Sequence, residues 1–209
     1  MFKGRNLIIA TKHQKERVIA PLVERALGVK CIVPESFDTD ILGTFTGEVD
    51  RKDDPVTTVH KKCMLAMELH GCDLAIASEG SFGPHPHLFF VPADDELLLF
   101  MDRQNGVTIL ERELSTDTNY SGAEIVSQNQ LEDFALHAKF PEHGLILRKS
   151  KEDISDIAKG IADWSQLSAC FNYFMTKHGT AYVETDMRAM FNPTRMRVIE
   201  ETARKLVKK

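Results

Sequence analysis

The 209-residue chain carries 31 acidic residues against 26 Lys and Arg, which gives a formal net charge of −5, and 43% of its residues are hydrophobic. This composition is typical of a globular protein, argues against a basic nucleic-acid-binding surface, and contains no apolar run near the ~18 residues of a membrane span. The four cysteines form no C-x-x-C pair, so we expect buried thiols and a cytoplasmic location, with a homodimer left open.

The first elements in chain order indicate a β-α-β unit. Residues 6–10 (NLIIA) form a continuous apolar run, which is typical of a strand covered on both faces. Helical spacing of apolar residues over 15–27 predicts a helix that ends at Gly28, and the run 30–33 (KCIV) predicts a second strand. A crossover of this kind predicts parallel strand pairing.

A second helix and further strands follow. A helix is predicted over 55–70, between an Asp-Pro start and Gly71. The apolar run 73–77 predicts a third strand. The Asn-Gly pair at 105–106 lies between two more apolar runs and predicts a hairpin that adds antiparallel strands.

Beyond residue 150, helical patterns dominate the sequence. Helices are predicted over 153–161, 164–177 and 193–207, and a strand over 180–184. We therefore predict an α/β fold with a mixed, mostly parallel central sheet, helices on both faces and a helical C-terminal part. Residues 1–150 would form an α/β domain with the site loops, and residues 151–209 the helical part packed on the same domain.

A short segment after the third strand combines many reactive side chains. The predicted strand runs into Ser78-Glu79-Gly80-Ser81, and His85 follows in the same predicted loop. In an open α/β sheet, ligands bind beyond the carboxyl ends of the strands. Glu79 is placed to bind a metal ion or to act as a base, and Gly80 allows main-chain N–H groups to turn toward a ligand. We therefore expect Ser78, Gly80, Ser81 and His85 to bind substrate.

The loop after the first strand is a second candidate region. Thr11, Lys12 and Lys15 precede the first predicted helix, whose N-terminus attracts anions. One hydroxyl and two ammonium groups at that place are suited to phosphate or carboxylate. A surface turn with solvated lysines would have the same sequence.

A glycine-flanked acidic loop and the following helix form a third region. Thr44 and Glu48 lie in the loop GTFTGE, and Lys61 and Lys62 lie in the next predicted helix. The Glu48 carboxylate is suited to Mg²⁺, and a lysine would offset the charge of phosphates bound to that ion. The alternative is an acidic loop beside a solvated helix face.

Two arginines lie between the last predicted strand and the last helix. Arg188 and Arg195 carry guanidinium groups, which bind phosphate or carboxylate in a fork geometry. A helix capped by Asn192, with a structural pair between Asp186 and an arginine, is the alternative interpretation.

The His-Pro-His segment at 85–87 is compatible with zinc. A zinc site needs a further protein ligand, for which His60, His70 and Glu79 are candidates. No H-E-x-x-H pattern or cysteine pair supports them, so the histidines are equally suited to orienting a substrate or to capping the loop.

Ser78 and Ser81 are also candidate nucleophiles. The G-x-S-x-G elbow of serine hydrolases is absent around both residues. The sequence therefore does not favour acyl transfer.

Four segments carry a resemblance to a known family. The chain resembles a family of uncharacterised bacterial proteins defined by a domain of unknown function, DUF6671. The segments are IIATKHQKE, DTDILGTFTGE, ASEGSFGPHP and TDMRAMFNPTRM.

A more distant resemblance, over roughly residues 5–102, is to inosine triphosphate pyrophosphatases. It implies that Lys15 and either Lys61 or Lys62 hold phosphates, and that Glu48 and Glu79 serve Mg²⁺. Two features of those enzymes differ here, because Ser78-Glu79 replaces the expected acid pair and the Asn-Ala before the helix lysine is missing.

The leading prediction is a Mg²⁺-dependent hydrolase of nucleoside triphosphates or of a related phosphorylated small molecule. Glu48 and Glu79 would be catalytic and would lie within ~5 Å of each other, so that one ion contacts both. The alternative is a non-catalytic sensor module that binds a nucleotide or another anion through the same loops. A third hypothesis is an interaction domain whose basic C-terminal helix meets an acidic partner.

Overall fold

The computed structural model describes residues 1–34 and 53–209, and these residues form two β-sheets. The strand order is β2-β1-β3-β4-β5 in the first sheet and β6-β9-β7-β8 in the second. The strands are β1 (Asn6–Ala10), β2 (Lys30–Ile32), β3 (Leu74–Pro84), β4 (Pro92–Asp102), β5 (Val107–Ser115), β6 (Gly122–Ile125), β7 (Leu145–Arg148), β8 (Ile157–Ile161) and β9 (Ala181–Thr185). The helices are α1 (Glu16–Leu27), α2 (Pro55–His70), α3 (Gln128–His137), α4 (Trp164–His178) and α5 (Pro193–Leu206), with a 3₁₀ turn at Ala189–Phe191.

The prediction of a mostly parallel sheet is wrong. In the described parts of the chain, β1 pairs in parallel with β2 and β3, whereas the other five pairings of the two sheets are antiparallel. The β-α-β pattern of the first residues gave the parallel pairs correctly. From β3 onward, however, short hairpin connections join β3 to β4 and β4 to β5, and such connections allow only antiparallel neighbours.

The third strand is longer than its apolar run. Its pairing with β4 continues from Leu74 to Pro84, so the segment predicted to be a loop after Ala77 is strand. β1 ends at Ala10, which lies opposite Ala77. Residues 78–84 therefore extend past the carboxyl end of β1, and this protruding edge of β3 has no β1 residue beside it.

Consecutive residues of β1 pack into different hydrophobic clusters. Leu7 and Ile9 belong to the cluster that contains residues of α1 and α5, whereas Ile8 and Ala10 belong to the cluster that contains residues of α2. Side chains of a strand alternate between the two faces of a sheet, so neighbouring residues of β3 also point in opposite directions.

Helix ends follow the expected capping residues. The Asp54 carboxylate accepts hydrogen bonds from the first turn of α2, and Gly71 ends that helix with a φ of 61°. Gly28 ends α1 with a φ of 66°. Asn192 caps α5 by accepting from the main-chain N–H of Arg195 at 3.0 Å. These caps fix where the first turns of α2 and α5 meet the sheet.

The part of the chain after residue 150 is not purely helical. The predicted helix over 153–161 is wrong, because β8 pairs there with β7, and β9 pairs with both β7 and β6. α5 returns to the first sheet, where Ile199 and Ala203 join its core. The division into 1–150 and 151–209 stays a prediction. Over residues 1–34 and 53–209, no helix has the length and apolar character needed to cross a bilayer.

Candidate functional site

Seven polar or charged side chains lie buried together where β3 passes the end of β1. Each of these residues has less than a tenth of its surface exposed to solvent. They lie in α1, α2, β3, β4 and α5 or just before these elements. We call this group the strand-end cluster. Its members are Lys15, Lys62, Ser78, Glu79, Asp94, Glu96 and Arg195.

Lys15 enters the cluster from the loop that connects β1 to α1. Its ammonium nitrogen donates to Ser78 Oγ at 3.0 Å and lies 4.0 Å from Glu96 Oε2. The preceding His13 and Gln14 both have a positive φ, a conformation that non-glycine residues adopt rarely and that often occurs at functional sites. Burial lowers the pKa of Lys15 to about 7, and the positive charge of nearby Arg195 acts in the same direction.

Lys62 enters from α2 and pairs with Glu79. The distance from Lys62 Nζ to Glu79 Oε2 is 2.5 Å, and both side chains are buried. The adjacent Lys61 instead points outward, where half of its side chain is exposed and it pairs with Asp53 at 2.6 Å. The sequence left the choice between the two lysines open, and the structure brings Lys62 to β3.

Arg195 closes the cluster from the first turn of α5. Its Nε donates to Glu96 Oε1 at 2.6 Å, another nitrogen donates to the Met187 carbonyl, and the guanidinium lies 4.9 Å from the centre of the Phe82 ring. Gly80 makes this approach possible, because a Cβ atom at that position would overlap the carboxylate of Glu96 and the guanidinium of Arg195.

Asp94 is the most isolated member of the cluster. It is completely buried, and within the described residues no donor hydrogen-bonds to either of its carboxylate oxygens. Burial and the neighbouring negative charge of Glu96 raise the pKa of Asp94 to about 8. Burying an unpaired carboxylate is costly, and this cost favours the neutral form of Asp94.

Three of the residues predicted to bind substrate, Thr11, Lys12 and Ser81, are not members of the strand-end cluster. Thr11 is buried after β1 and its hydroxyl donates to the Lys12 carbonyl at 3.1 Å, while Lys12 itself is half-buried. Ser81 follows Gly80 on β3, with Asp95 opposite it in register.

His85 and Arg188 lie elsewhere. His85 is at the turn of the β3–β4 hairpin, where its Nδ1 accepts from the main-chain N–H groups of His87 and Leu88 at 3.2 Å. His85 is seven positions beyond Ser78, a distance of roughly 23 Å along an extended chain. Arg188 forms an ion pair with Asp186 and stacks on a phenylalanine of the 3₁₀ turn.

Two predicted residues cannot be placed. Thr44 and Glu48 lie outside the described residues, so the predicted approach of Glu48 to Glu79 stays a prediction. Among residues 1–34 and 53–209, no group of three or more His, Cys, Asp or Glu side chains could hold a metal ion. The zinc interpretation of His85 and His87 therefore gains no third ligand from this part of the chain.

Two members of the cluster were missed by sequence reasoning. Asp94 and Glu96 lie just before the apolar run of β4. Both point to the same face of the sheet, whereas Asp95 between them points to the opposite face. Glu96 shares its face with Leu98 and Phe100, which are both in the core. The β4 residues on this face recur at every second position, and this pattern extends back to Glu96 and Asp94. It was the signal in the sequence that the two acids are buried.

The cluster combines three cations with three carboxyl groups in a water-poor site. Lys15, Lys62 and Arg195 approach the segment of β3 that extends beyond β1. Crevices at the carboxyl ends of parallel strands are common ligand sites, and buried cations there favour anionic ligands. The arrangement is therefore suited to binding an anion at this end of the sheet, where Lys15 and Arg195 lie on one face of β3 and Lys62 lies with Glu79 on the other.

Comparison with known proteins adds one relationship. The model of a protein family described as "Domain of unknown function (DUF6671)" matches residues 62–209, which include every member of the cluster except Lys15. A search of curated proteins finds no match.

Proposed function

The chain belongs to the DUF6671 family, and we propose that it is a Mg²⁺-dependent hydrolase of nucleoside triphosphates or of a related phosphorylated small molecule. One observation carries the proposal. Lys15 and Lys62, predicted to bind phosphates, reach two adjacent residues of β3, because Lys15 contacts Ser78 at 3.0 Å and Lys62 contacts Glu79 at 2.5 Å. Ser78 and Glu79 point to opposite faces of β3, so Lys15 and Lys62 flank this segment of the strand from its two sides.

The charge balance of the cluster supports an anionic substrate. The positive charges of Arg195 and Lys62 both lower the pKa of Lys15, so the cations repel one another in the absence of ligand. A bound phosphate group would offset that repulsion, so the charges of the cluster are better balanced with an anion present.

The available oxygen ligands are compatible with Mg²⁺. Proteins commonly bind Mg²⁺ through one or two carboxylates together with water and substrate phosphates, so a large ligand cluster is not required. In this proposal Glu79 supplies one carboxylate and Glu48, which lies outside the described residues, supplies the second. When bound, the ion would neutralise charge that develops on the phosphate oxygens.

The second candidate function is a sensor module that binds a nucleotide or another anion without catalysis. One observation favours it: the Glu79 carboxylate pairs at 2.5 Å with a buried lysine. A carboxylate held in a buried ion pair is less available to a metal ion than one that faces solvent.

The two functions are separated by measuring turnover and binding on the same samples. The full chain is incubated with a panel of nucleoside triphosphates and Mg²⁺, and the release of phosphate and pyrophosphate is measured. The hydrolase proposal expects release that is abolished by chelation and falls at least about 100-fold in Glu79→Gln. Glu68→Gln, at an exposed position of α2, is the control.

Other outcomes would count against the hydrolase or against both functions. Thermal stabilisation by a nucleotide without product release would favour the sensor. Turnover that Glu79→Gln leaves unchanged would contradict the role of Glu79, and the absence of both turnover and stabilisation across the panel would contradict both functions.

A further inference from the structure

A serine and a lysine in the strand-end cluster have the geometry of a nucleophile and its base. Lys15 Nζ and Ser78 Oγ lie 3.0 Å apart, and both residues are almost completely buried. Catalytic nucleophile–base pairs are separated by about 2.6–3.2 Å, and a lysine serves as the base in some serine enzymes. The absence of a G-x-S-x-G elbow does not bear on this pair, because its base comes from the loop after β1.

The surroundings of Lys15 suit a base more than a permanent cation. Among residues 1–34 and 53–209, the one carboxylate within 4.0 Å of its ammonium nitrogen is that of Glu96, whose Oε2 is at that distance and whose other oxygen accepts a hydrogen bond from Arg195. Burial and two neighbouring cations lower the pKa of Lys15 to about 7, so the neutral amine is accessible near neutral pH. A buried lysine normally becomes a useful base in this way.

The position of Ser78 on β3 distinguishes it from Ser81, the other serine of this segment. Ser78 and Gly80 lie on the same face of β3, whereas Ser81 lies on the opposite face. Ser78 is also the first residue of β3 beyond the end of β1, which lies opposite Ala77. The strand edge beside Ser78 is therefore not covered by β1.

We propose that Ser78 is a nucleophile activated by Lys15, so that hydrolysis proceeds through a covalent ester between Ser78 and the phosphorus of the substrate. This inference rests on the proposed function only for its class of substrate. This reaction differs from direct attack by water on phosphorus because it passes through a covalent ester on the protein, which can be isolated.

Hydrolysis through the Ser78 ester needs no reactant other than the substrate and water. The neutral amine of Lys15 takes the proton of the Ser78 hydroxyl, and Oγ forms a bond to phosphorus as the bond to the leaving phosphate oxygen breaks. The leaving group departs with that electron pair. Water then attacks the same phosphorus, Ser78 Oγ leaves and recovers its proton from Lys15, and the second proton of the reaction passes from water to the solvent.

The first test uses a reagent that needs no knowledge of the substrate. The full chain is treated with diisopropyl fluorophosphate, and the labelled residue is located by peptide mass spectrometry. We expect a label on Ser78 that is absent in Ser78→Ala. In Lys15→Arg, which keeps the cation but provides no base near neutral pH, the labelling rate should fall at least about 100-fold.

The pH dependence of labelling separates a base from a purely structural lysine. The rate in the unmodified chain should rise with pH through about 7 as Lys15 loses its proton, and this rise should be absent in Lys15→Arg. Ser155→Ala, an exposed serine near β8, is the control for non-specific labelling. Circular dichroism and thermal melting of each variant show that it is folded.

A second test looks for the natural intermediate. Nucleoside triphosphates labelled on the α- or γ-phosphate are mixed with the chain, quenched with acid, and the protein is examined for a phosphorus ester on Ser78. Trapping this ester supports the proposal, whereas turnover that persists in folded Ser78→Ala would overturn it. The absence of a Ser78 label from both reagents would overturn it as well. Labelling by the fluorophosphate without nucleotide turnover would refute the proposed substrate class but leave the nucleophile standing.

Discussion

Arg195 Nε lies 2.6 Å from Glu96 Oε1, and both side chains are completely buried. This contact joins the first turn of α5 to β4 of the first sheet across 99 positions of sequence. The two charges are taken out of water together, and Arg195 makes further contacts with the Met187 carbonyl and the Phe82 ring. The arrangement of the strand-end cluster therefore depends on both members of this pair.

The first prediction concerns the loss of one partner of that pair. Glu96→Gln keeps the shape of the side chain but removes its charge, so the buried Arg195 guanidinium loses the carboxylate that its Nε contacts. Removing one partner of a buried ion pair typically costs about 3–5 kcal/mol. Urea denaturation at pH 7 should show a decrease of that size in the free energy of unfolding.

Asp95→Asn is the matched control for this prediction. Asp95 is the adjacent residue of β4 and pairs with Arg112 at 2.6 Å, but more than half of the arginine side chain is exposed. Such surface pairs contribute at most about 1 kcal/mol. Equal losses in the two variants would contradict the view that the Glu96 pair is held by burial.

Local sequence signals determine part of this fold. The helices α1, α2 and α5 were predicted close to their observed ends, because capping residues and helical periodicity act over a few residues. The length of β3 was not predicted, because Ser78-Glu79-Gly80-Ser81 has turn-like composition and becomes strand only through its pairing with β4. Strand pairing between distant segments overrides local preference, which is also why the balance of parallel and antiparallel strands was wrong.

The candidate site shows the same limit. Lys15, Lys62, Ser78, Glu79 and Arg195 were predicted from their chemical type and their position at element ends, and the structure brings them together. Sequence reasoning could not choose between Lys61 and Lys62, because adjacent helix residues differ only in the direction that they face. It missed Asp94 and Glu96, because two acids before an apolar run are normally solvated.

The second prediction uses the two adjacent lysines of α2. Lys62→Met leaves the buried Glu79 carboxylate without its closest cation, so we expect a loss of about 3 kcal/mol in the free energy of unfolding at pH 7. Lys61→Met removes only an exposed pair with Asp53 and should cost less than about 1 kcal/mol. Chemical denaturation of both variants measures the difference, and a larger loss in Lys61→Met would contradict the assignment of Lys62 to the cluster.

The third prediction concerns the pH dependence of stability at Asp94. In the folded chain, burial and the charge of Glu96 raise its pKa from the ordinary aspartic acid value of 3.8 to about 8, so the folded state binds the proton more tightly than the unfolded state. The stability that this proton provides is fully present below pH 3.8 and is lost as the pH rises through about 8. Asp94→Asn keeps a neutral side chain at every pH and should remove this loss.

The measurement is the difference in unfolding free energy between Asp94→Asn and the unmodified chain at several pH values. The variant should gain relative stability from pH 5 to pH 9. The same comparison at Asp117→Asn, whose carboxylate is mostly exposed, should show little change over that interval. A constant difference for Asp94→Asn would mean that Asp94 is ionised in the folded chain.

The fourth prediction tests the close approach of α5 to β3. A methyl group at Gly80 would overlap both the Glu96 carboxylate and the Arg195 guanidinium, so Gly80→Ala must displace one of them. Overpacking of this kind typically costs about 1–3 kcal/mol, and here it also lengthens a buried ion pair. Gly83→Ala, three residues along the same strand, meets no atom within 4 Å and should be tolerated. Thermal melting and urea denaturation of the two variants check the prediction, and a Gly80→Ala variant as stable as Gly83→Ala would show that Arg195 is not packed against the strand at this point.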